Sequence, residues 1–189
     1  PPAGVNVRPR PAPAPDEAAA LADMLLAAKR PVLIAGTEAA NAATADAIRH
    51  LVETLPIPVF TKSLAAGLLP AGHPCDSGGA GNLAILPQMG LPSPDLVILL
   101  GAKLGLLLGG RSGAVVPDAA TLVQIHGDAT EIGRIRDVDL AINADCGEAV
   151  KALARALAGR APDGLREWCA QATAAVPVFA SLFPEGETA

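Results

Sequence analysis

Five short apolar runs constrain the fold of this chain more than any other feature of its sequence. They are RPVLIAG (30–36), IPVFTKS (57–63), DLVILLG (95–101), TLVQIHG (121–127) and DLAINA (139–144). Their apolar residues are consecutive rather than alternating, which is typical of strands buried on both faces of a parallel sheet. One more short strand is expected near Cys75.

Segments with helical spacing of apolar residues separate these runs. Five helices are predicted. The first begins after Asp16, which is expected to cap it, and the second covers 41–55. The third covers part of 80–90 and is disturbed by Pro87, the fourth covers 146–158, and the last covers about 163–176 and stops at Pro177. Alternating strands and helices predict an α/β fold, a doubly wound, Rossmann-like (DHS-like) parallel sheet of about six strands with helices on both faces. Residues 16–176 are predicted to form this domain.

Both ends of the chain are predicted to be linkers. Residues 1–15, PPAGVNVRPRPAPAP, alternate proline with small residues, and this composition favours an extended connection. Residues 177–189 are predicted to lead toward a further, C-terminal domain. We therefore expect the chain to be one piece of a longer protein.

Composition excludes several classes of function. A net charge of −5 and 2% aromatic residues argue against nucleic-acid binding, which needs a basic surface or stacking side chains. Apolar runs are too short to span a bilayer, so no membrane partner is expected. Cys75, Cys146 and Cys169 form no CxxC pattern, so neither a zinc site nor a disulfide framework is indicated, and a cytoplasmic location is expected. Cys146, at a helix start, is expected to have a somewhat lowered pKa, but with no base nearby in sequence a buried or incidental thiol is the preferred interpretation.

A ligand site is predicted where the strand order reverses. In a doubly wound sheet, ligands bind beyond the carboxyl ends of the strands at that point, here between the first strand and the fourth. The candidate cofactor-binding residues at the strand ends are Gly36, Thr61, Lys62, Ser63, Gly101, Lys103, Asp128 and Asp145. The alternative is that the glycines only turn the chain and the lysines are only solvated.

The two aspartates also have a purely structural interpretation. Asp128 is followed three residues later by Glu131, and Asp145 by Glu148, which is the spacing of a capping box at the start of a helix. A capping carboxylate still has spare lone pairs, so a second role in ligand binding stays open. His126 is predicted to be a packed, hydrogen-bonded histidine rather than a catalyst.

The sequence also resembles a known family over residues 16 to about 158. Five segments carry the resemblance: RPVLIAG, IPVFTKSLAAGLLPAGHP, SPDLVILLGAKLG, LVQIHGDATEIGR and AINADCGEAVKALA. Their order and spacing together resemble the central domain of thiamine-diphosphate-dependent enzymes of the acetolactate synthase-like and benzaldehyde lyase-like type. The resemblance implies two further domains, one binding the pyrimidine of the cofactor beside a catalytic glutamate. The other binds diphosphate and Mg²⁺ through Gly-Asp-Gly and a downstream Asn.

Neither cofactor motif is present, because Gly127-Asp128-Ala129 lacks the second glycine. The resemblance therefore implies that thiamine diphosphate and Mg²⁺ are bound by flanking domains of the full-length parent, and that this chain holds no catalytic residue and no metal site. The parent would be an oligomeric enzyme, a dimer or tetramer, that forms or breaks a carbon–carbon bond beside a carbonyl. The alternative is a regulatory module that binds ADP, NAD or FAD.

The segment after the fourth predicted strand, DLVILLG (95–101), bears on flavin binding. Acetolactate synthases bind FAD in this domain and related decarboxylases hold ADP, which implies contacts at the candidate residues given above. Flavin-binding members carry arginine and polar residues after the Gly-Ala of that strand, whereas this chain has Lys103 followed by LGLLL (104–108), as in benzaldehyde lyase. Lysine is a point charge and not a bidentate phosphate ligand, so FAD is predicted to be absent. The leucines are expected either to contact a neighbouring domain or subunit or to enter this domain's own core.

Overall fold

Six parallel strands form one sheet in the computed structural model, which describes residues 9–182. The strands are β1 (Pro31–Ala35), β2 (Val59–Thr61), β3 (Asp76–Gly79), β4 (Leu96–Leu100), β5 (Thr121–Ile125) and β6 (Leu140–Ile142). Their order in the sheet is β3-β2-β1-β4-β5-β6, and every neighbouring pair is parallel. The predicted doubly wound fold is confirmed, including the strand next to Cys75.

Consecutive side chains of the central strands point to opposite faces, so both faces are apolar. In β1 and β4, Leu33 and Ile98 belong to one core, while Ile34 and Leu99 belong to the other. All five residues of each of these strands are buried. This explains why the apolar runs are continuous in the sequence, since each face needs its own covering layer.

One face is covered by α1 (Pro15–Ala27), α2 (Ala42–Thr54) and α3 (Cys146–Leu157). The other face is covered by a 3₁₀ helix (Ala80–Met89), by the irregular segment 102–120 and by one side of α4 (Leu165–Thr173). Trp168 anchors α4 there, and its Nε1 donates a hydrogen bond to the Pro31 carbonyl oxygen at 2.9 Å. None of the helices within 9–182 is long and apolar enough to cross a membrane.

Two helix boundaries differ from the prediction. Asp16 does not cap α1. The cap is Ala14, whose N–H donates to the Glu17 carboxylate at 2.7 Å, because Pro15 already fits the first helical position. The helix predicted to end at Pro177 is instead α4 followed by α5 (Ala175–Leu182). Proline is tolerated in the first turn of α5, where N–H groups have no intrahelical partner.

The predicted linkers are only partly within the described residues. Residues 9–14 have no regular secondary structure, whereas the predicted second linker is helical as far as residue 182. Residues 1–8 and 183–189 lie outside the described part of the chain. The domain boundaries therefore stay a prediction.

The segments that follow β1 and β4 pack directly against each other. The Gly36 N–H donates to the Leu100 carbonyl at 2.8 Å, and a Cβ at Gly36 would lie 2.4 Å from the Cα of Ala102. Gly101 has φ +60, and a Cβ there would lie 2.8 Å from the Sγ of Cys146. Both positions thus require glycine so that protein backbone, and not a ligand, can approach closely.

We expect Gly36→Ala to lower the free energy of unfolding by about 2 kcal/mol or more, because the added methyl group overlaps backbone that cannot move cheaply. Gly105→Ala is the matched control, since its φ is −128 and a Cβ there meets nothing within 4 Å. Urea denaturation monitored by circular dichroism measures both variants. Equal midpoints for the two would contradict the close packing.

Candidate functional site

The carboxyl ends of β1, β2, β4 and β5 meet around one cavity of about 310 Å³. Four of the eight predicted site residues line it: Lys62, Gly101, Lys103 and Asp128. Its other lining residues are Thr37, Glu38, Ala102 and His126. The structure therefore brings half of the predicted residues together at the reversal of strand order.

The remaining four lie elsewhere. Asp145 lines an adjoining cavity of about 460 Å³. Thr61 turns toward β3, where its Oγ1 donates to the Gly78 carbonyl at 3.2 Å. Gly36 is packed against Ala102, and Ser63 is an exposed residue with φ 55. Gly36, Thr61 and Ser63 therefore line neither cavity.

Glu38 is the central residue that the sequence analysis missed, and it lines both cavities. It lies in a single 3₁₀ turn (Thr37–Ala39) directly after β1. Its carboxylate accepts from the Gly127 N–H at 2.9 Å and lies 3.3 Å from the Nδ1 of His126. The only sequence signal was its place three residues beyond Ala35, the end of β1, since no motif surrounds it.

His126 is 1% exposed and hydrogen-bonded, which confirms the prediction of a packed histidine. Its Nδ1 accepts from the Asp128 N–H at 3.1 Å and also faces Glu38. Nδ1 cannot accept from one group and donate to the other at once, so only one of the two contacts is a hydrogen bond at any time. Within residues 9–182, Nε2 is buried and has no hydrogen-bond partner.

Lys103 is paired within the domain with a carboxylate that it shares with Arg134. Its Nζ lies 2.9 Å from the Oε1 of Glu131, whose side chain is 12% exposed and also binds Arg134 at 3.1 Å. The Lys103 ammonium, and then Arg134, hold the pKa of the Glu131 carboxyl below its usual value. Lys62 donates to the Lys103 carbonyl at 3.1 Å, and burial followed by repulsion from Lys103 lowers its pKa.

These charges do not fit a flavin or nucleotide diphosphate. Glu38 and Asp128 line the same cavity as the two lysines, and one lysine is already paired with Glu131. A diphosphate would meet two carboxylates there, and like charges placed side by side repel. The described residues also contain no group of three or more histidine, cysteine or acidic side chains that could hold a metal ion.

The two aspartates cap helices, but the reciprocal bonds of a capping box are absent. Asp128 Oδ1 accepts from the N–H and the hydroxyl of Thr130 at 3.0 and 2.7 Å, and these bonds lower the pKa of Asp128. Its helix is a single 3₁₀ turn (Ala129–Glu131). Glu131 does not reach back to it because that carboxylate binds Lys103 and Arg134.

Asp145 is a complete cap for α3, since its Oδ1 accepts from the Glu148 N–H at 3.0 Å. The Glu148 carboxylate turns outward to Lys151, at 2.9 Å. The lowered pKa predicted for Cys146, at the first position of this helix, is wrong, whereas the preferred interpretation of a buried thiol is confirmed. Burial, with Glu38 and Asp145 nearby, raises the pKa of its thiol to about 12, which outweighs the helix terminus.

The leucines after β4 divide between the core of this domain and its surface. Leu104 and Leu108 are buried in the core. Leu106 and Leu107, between them, are 93% and 68% exposed. The segment is thus anchored at both ends and presents two apolar side chains to its surroundings, beside the strand ends that form the cavity.

Comparison with known proteins gives one consistent answer. The family described as "Thiamine pyrophosphate enzyme, central domain" matches residues 18–153. Sulfoacetaldehyde acetyltransferase of Alcaligenes xylosoxydans is 32% identical over 142 residues, covering 74% of this chain and 24% of that enzyme. The large subunit of acetolactate synthase isozyme 1 of Escherichia coli is 34% identical over 125 residues, covering 66% of this chain and 22% of the subunit.

A solved structure agrees with these matches. A proposed thiamin diphosphate-dependent enzyme of Mycobacterium smegmatis superimposes with a TM-score of 0.64 at 26% identity, covering 84% of this chain and 30% of that one. The chain spans 24% and 22% of the length of the two curated relatives above. The sheet order, the cavity at its reversal and the family match over 18–153 all agree, and this chain belongs to the central-domain family of thiamine pyrophosphate enzymes.

Proposed function

We propose that this chain is the central domain of an enzyme of the acetolactate synthase or benzaldehyde lyase type, and that it aligns two catalytic domains without performing chemistry itself. The parent enzyme forms or breaks a carbon–carbon bond beside a carbonyl. Thiamine diphosphate supplies the nucleophilic carbon and stores the resulting carbanion when bound, and in this proposal flanking domains hold it with Mg²⁺. A cytoplasmic location stays a prediction from the cysteine pattern.

The observation that carries the scaffold role is the direct contact of the strand ends with one another beside the cavity. Glycines at the ends of β1 and β4 admit backbone, as the contact between Gly36 and Ala102 indicates. Glu38 accepts a hydrogen bond from the Gly127 N–H, which links the end of β1 to the end of β5. This supports a vestigial ligand site in which the strand ends are locked together.

The competing hypothesis is a regulatory module that binds ADP, NAD or FAD. It requires free positive charge or free N–H groups at the reversal of strand order. The pairing of Lys103 with Glu131, and the occupation of the Gly127 N–H by Glu38, argue against it. The same contacts support the prediction that FAD is absent.

The exposed leucines suggest where this domain meets its partners. Leu106 and Leu107 project from an anchored segment, and such exposed apolar pairs usually mark a contact. We propose that they pack against a flanking domain or a neighbouring subunit of a homo-oligomer. The match covers 24% and 22% of the two curated relatives, so most of each relative lies outside it. This supports the proposal, because a longer protein of this kind has further domains for the leucines to contact.

Calorimetric titration of ADP, NAD and FAD into this chain tests the crevice. We expect no saturable binding at micromolar concentration, because the cavity offers carboxylates beside its lysines. Lys103→Ala is the control, because a heat signal that this variant loses would place the bound ligand in this cavity. Micromolar binding by the wild type that Lys103→Ala abolishes would contradict the scaffold proposal and favour the regulatory module.

Replacing Leu106 and Leu107 with Ser tests the contact surface. We expect the melting temperature of this chain to stay the same, because both side chains are exposed. In the longer protein the double variant should shift the oligomer toward smaller species in light scattering and lower the activity. Leu108→Ser is the contrasting variant. It buries a hydroxyl in the core and should cost about 3 kcal/mol of stability. Unchanged oligomer size and activity in the double variant would argue against the contact.

An assay of the longer protein with pyruvate and with benzoin tests the reaction class. We expect turnover of at least one substrate with thiamine diphosphate and Mg²⁺, and a loss to background when the cofactor is omitted. This chain alone should show no turnover in either condition. Turnover by the chain alone, or turnover that does not need thiamine diphosphate, would refute the proposal.

A further inference from the structure

Two cysteines meet at the end of the sheet opposite the candidate site. Cys75 directly precedes β3, so it lies at the amino ends of the strands, and its carbonyl accepts from the Val59 N–H at 2.8 Å. Cys75 and Cys169 both line a cavity of about 240 Å³ whose floor also includes Val52. Exposed residues, among them Arg166, form the rim of this cavity.

The two cysteines are brought to one place although they come from distant parts of the chain. The Cys169 thiol donates to the carbonyl oxygen of Pro74, the residue before Cys75, at 3.5 Å. One helical turn later, Thr173 Oγ1 donates to the same carbonyl at 3.3 Å and lies 3.0 Å from the Oγ of Ser77. These bonds fix α4 against the segment that leads into β3, and both cysteines line the same cavity.

The surroundings activate one of the two sulfurs. The hydrogen bond from Cys169 lowers the pKa of Cys75, burial opposes this, and the positive charge of Arg166 lowers it further. The donating thiol of Cys169 has a raised pKa. A cysteine of lowered pKa beside a second thiol is the arrangement of a nucleophilic and a resolving cysteine. Cys146 differs, since carboxylates and burial raise the pKa of its thiol to about 12.

We propose that Cys75 and Cys169 form a reversible redox pair that closes to a disulfide on reaction with hydrogen peroxide. The Cys75 thiolate attacks one peroxide oxygen, the O–O bond breaks, and the departing hydroxide is protonated to water. The Cys169 sulfur then attacks the resulting sulfenic acid, the S–O bond breaks, and hydroxide leaves with the Cys169 proton as a second water. Two thiols are oxidised by loss of two hydrogen atoms, and one peroxide is reduced to two waters.

The disulfide would join α4 covalently to the chain at the edge strand β3. Thiol reductants would reverse it by exchange, so the bond would form transiently in a reducing compartment. This differs from a permanent disulfide framework, which the spacing of the three cysteines does not indicate. It is also independent of the proposed enzyme function, because the site lies at the other end of the strands.

Exposure of the wild-type chain to hydrogen peroxide, followed by alkylation and mass spectrometry, tests the pair. We expect a mass lower by two hydrogen atoms, a linked peptide that contains Cys75 and Cys169, and full reversal by dithiothreitol. Cys146→Ser, the matched control, should form the same link, whereas Cys75→Ser and Cys169→Ser should not. The melting temperature of the wild type should rise on oxidation and fall back on reduction.

Two outcomes would overturn the proposal. One is an unchanged wild-type mass at peroxide concentrations that fully oxidise free glutathione. The other is addition of oxygen atoms to single cysteines without a link between Cys75 and Cys169. Both are read on the wild-type chain, so the test does not depend on whether the serine variants fold.

Discussion

The close approach of the segments that follow β1 and β4 organises the rest of this domain. These are the two middle strands, and the chain leaves them toward opposite edges of the sheet. Because Gly36 and Gly101 lack side chains, the two departing segments touch, and Glu38 is carried over the end of β4. From there its carboxylate reaches Gly127 beyond β5. Three strand ends are thus tied together by one backbone contact and one carboxylate.

A second network stabilises the same edge from the side of β5. The buried Gln124 donates through Nε2 to the carbonyls of Ala102 and Glu131 at 3.2 and 3.1 Å, and its Oε1 accepts from the Gly133 N–H at 3.0 Å. This places Glu131 where it neutralises Lys103. The polar groups that could bind a ligand here are therefore engaged with one another, which suits an element that holds its neighbours in fixed positions.

The sequence allowed prediction of the parts of the fold that depend on local pattern. The central strands were found because burial on two faces makes them continuously apolar, and α3 because its apolar residues repeat at helical spacing beneath the Asp145 cap. β3, with the sequence DSGG, could be placed only approximately, since an edge strand of small residues has no such pattern. The route of α5 through Pro177 was missed because proline breaks a helix interior but not its first turn.

The site was harder to predict because it depends on side chains that meet only in three dimensions. Position after a strand end brought Lys62, Lys103 and Asp128 to one cavity, as expected. The pairing of Glu131 with Lys103 could not be predicted from the sequence. A glutamate three residues after Asp128 is expected in a capping box, and the same spacing is found when that glutamate binds a distant lysine instead. The contact between Cys75 and Cys169 likewise requires knowing where α4 packs.

The two helices at the end of the described residues determine where this domain can be truncated for expression. α4 and α5 lie beyond residue 153, where the family match ends, yet they pack against β3. A Cβ at Gly78 of this strand would lie 3.4 Å from the Cγ2 of Val176, and the hydroxyl groups of Thr173 and Ser77 are hydrogen-bonded. An expression boundary placed at the end of the family match would remove both helices from beside the edge strand β3, and exposed edge strands recruit strands from other molecules. The shortest piece that stays monodisperse should therefore extend through α5.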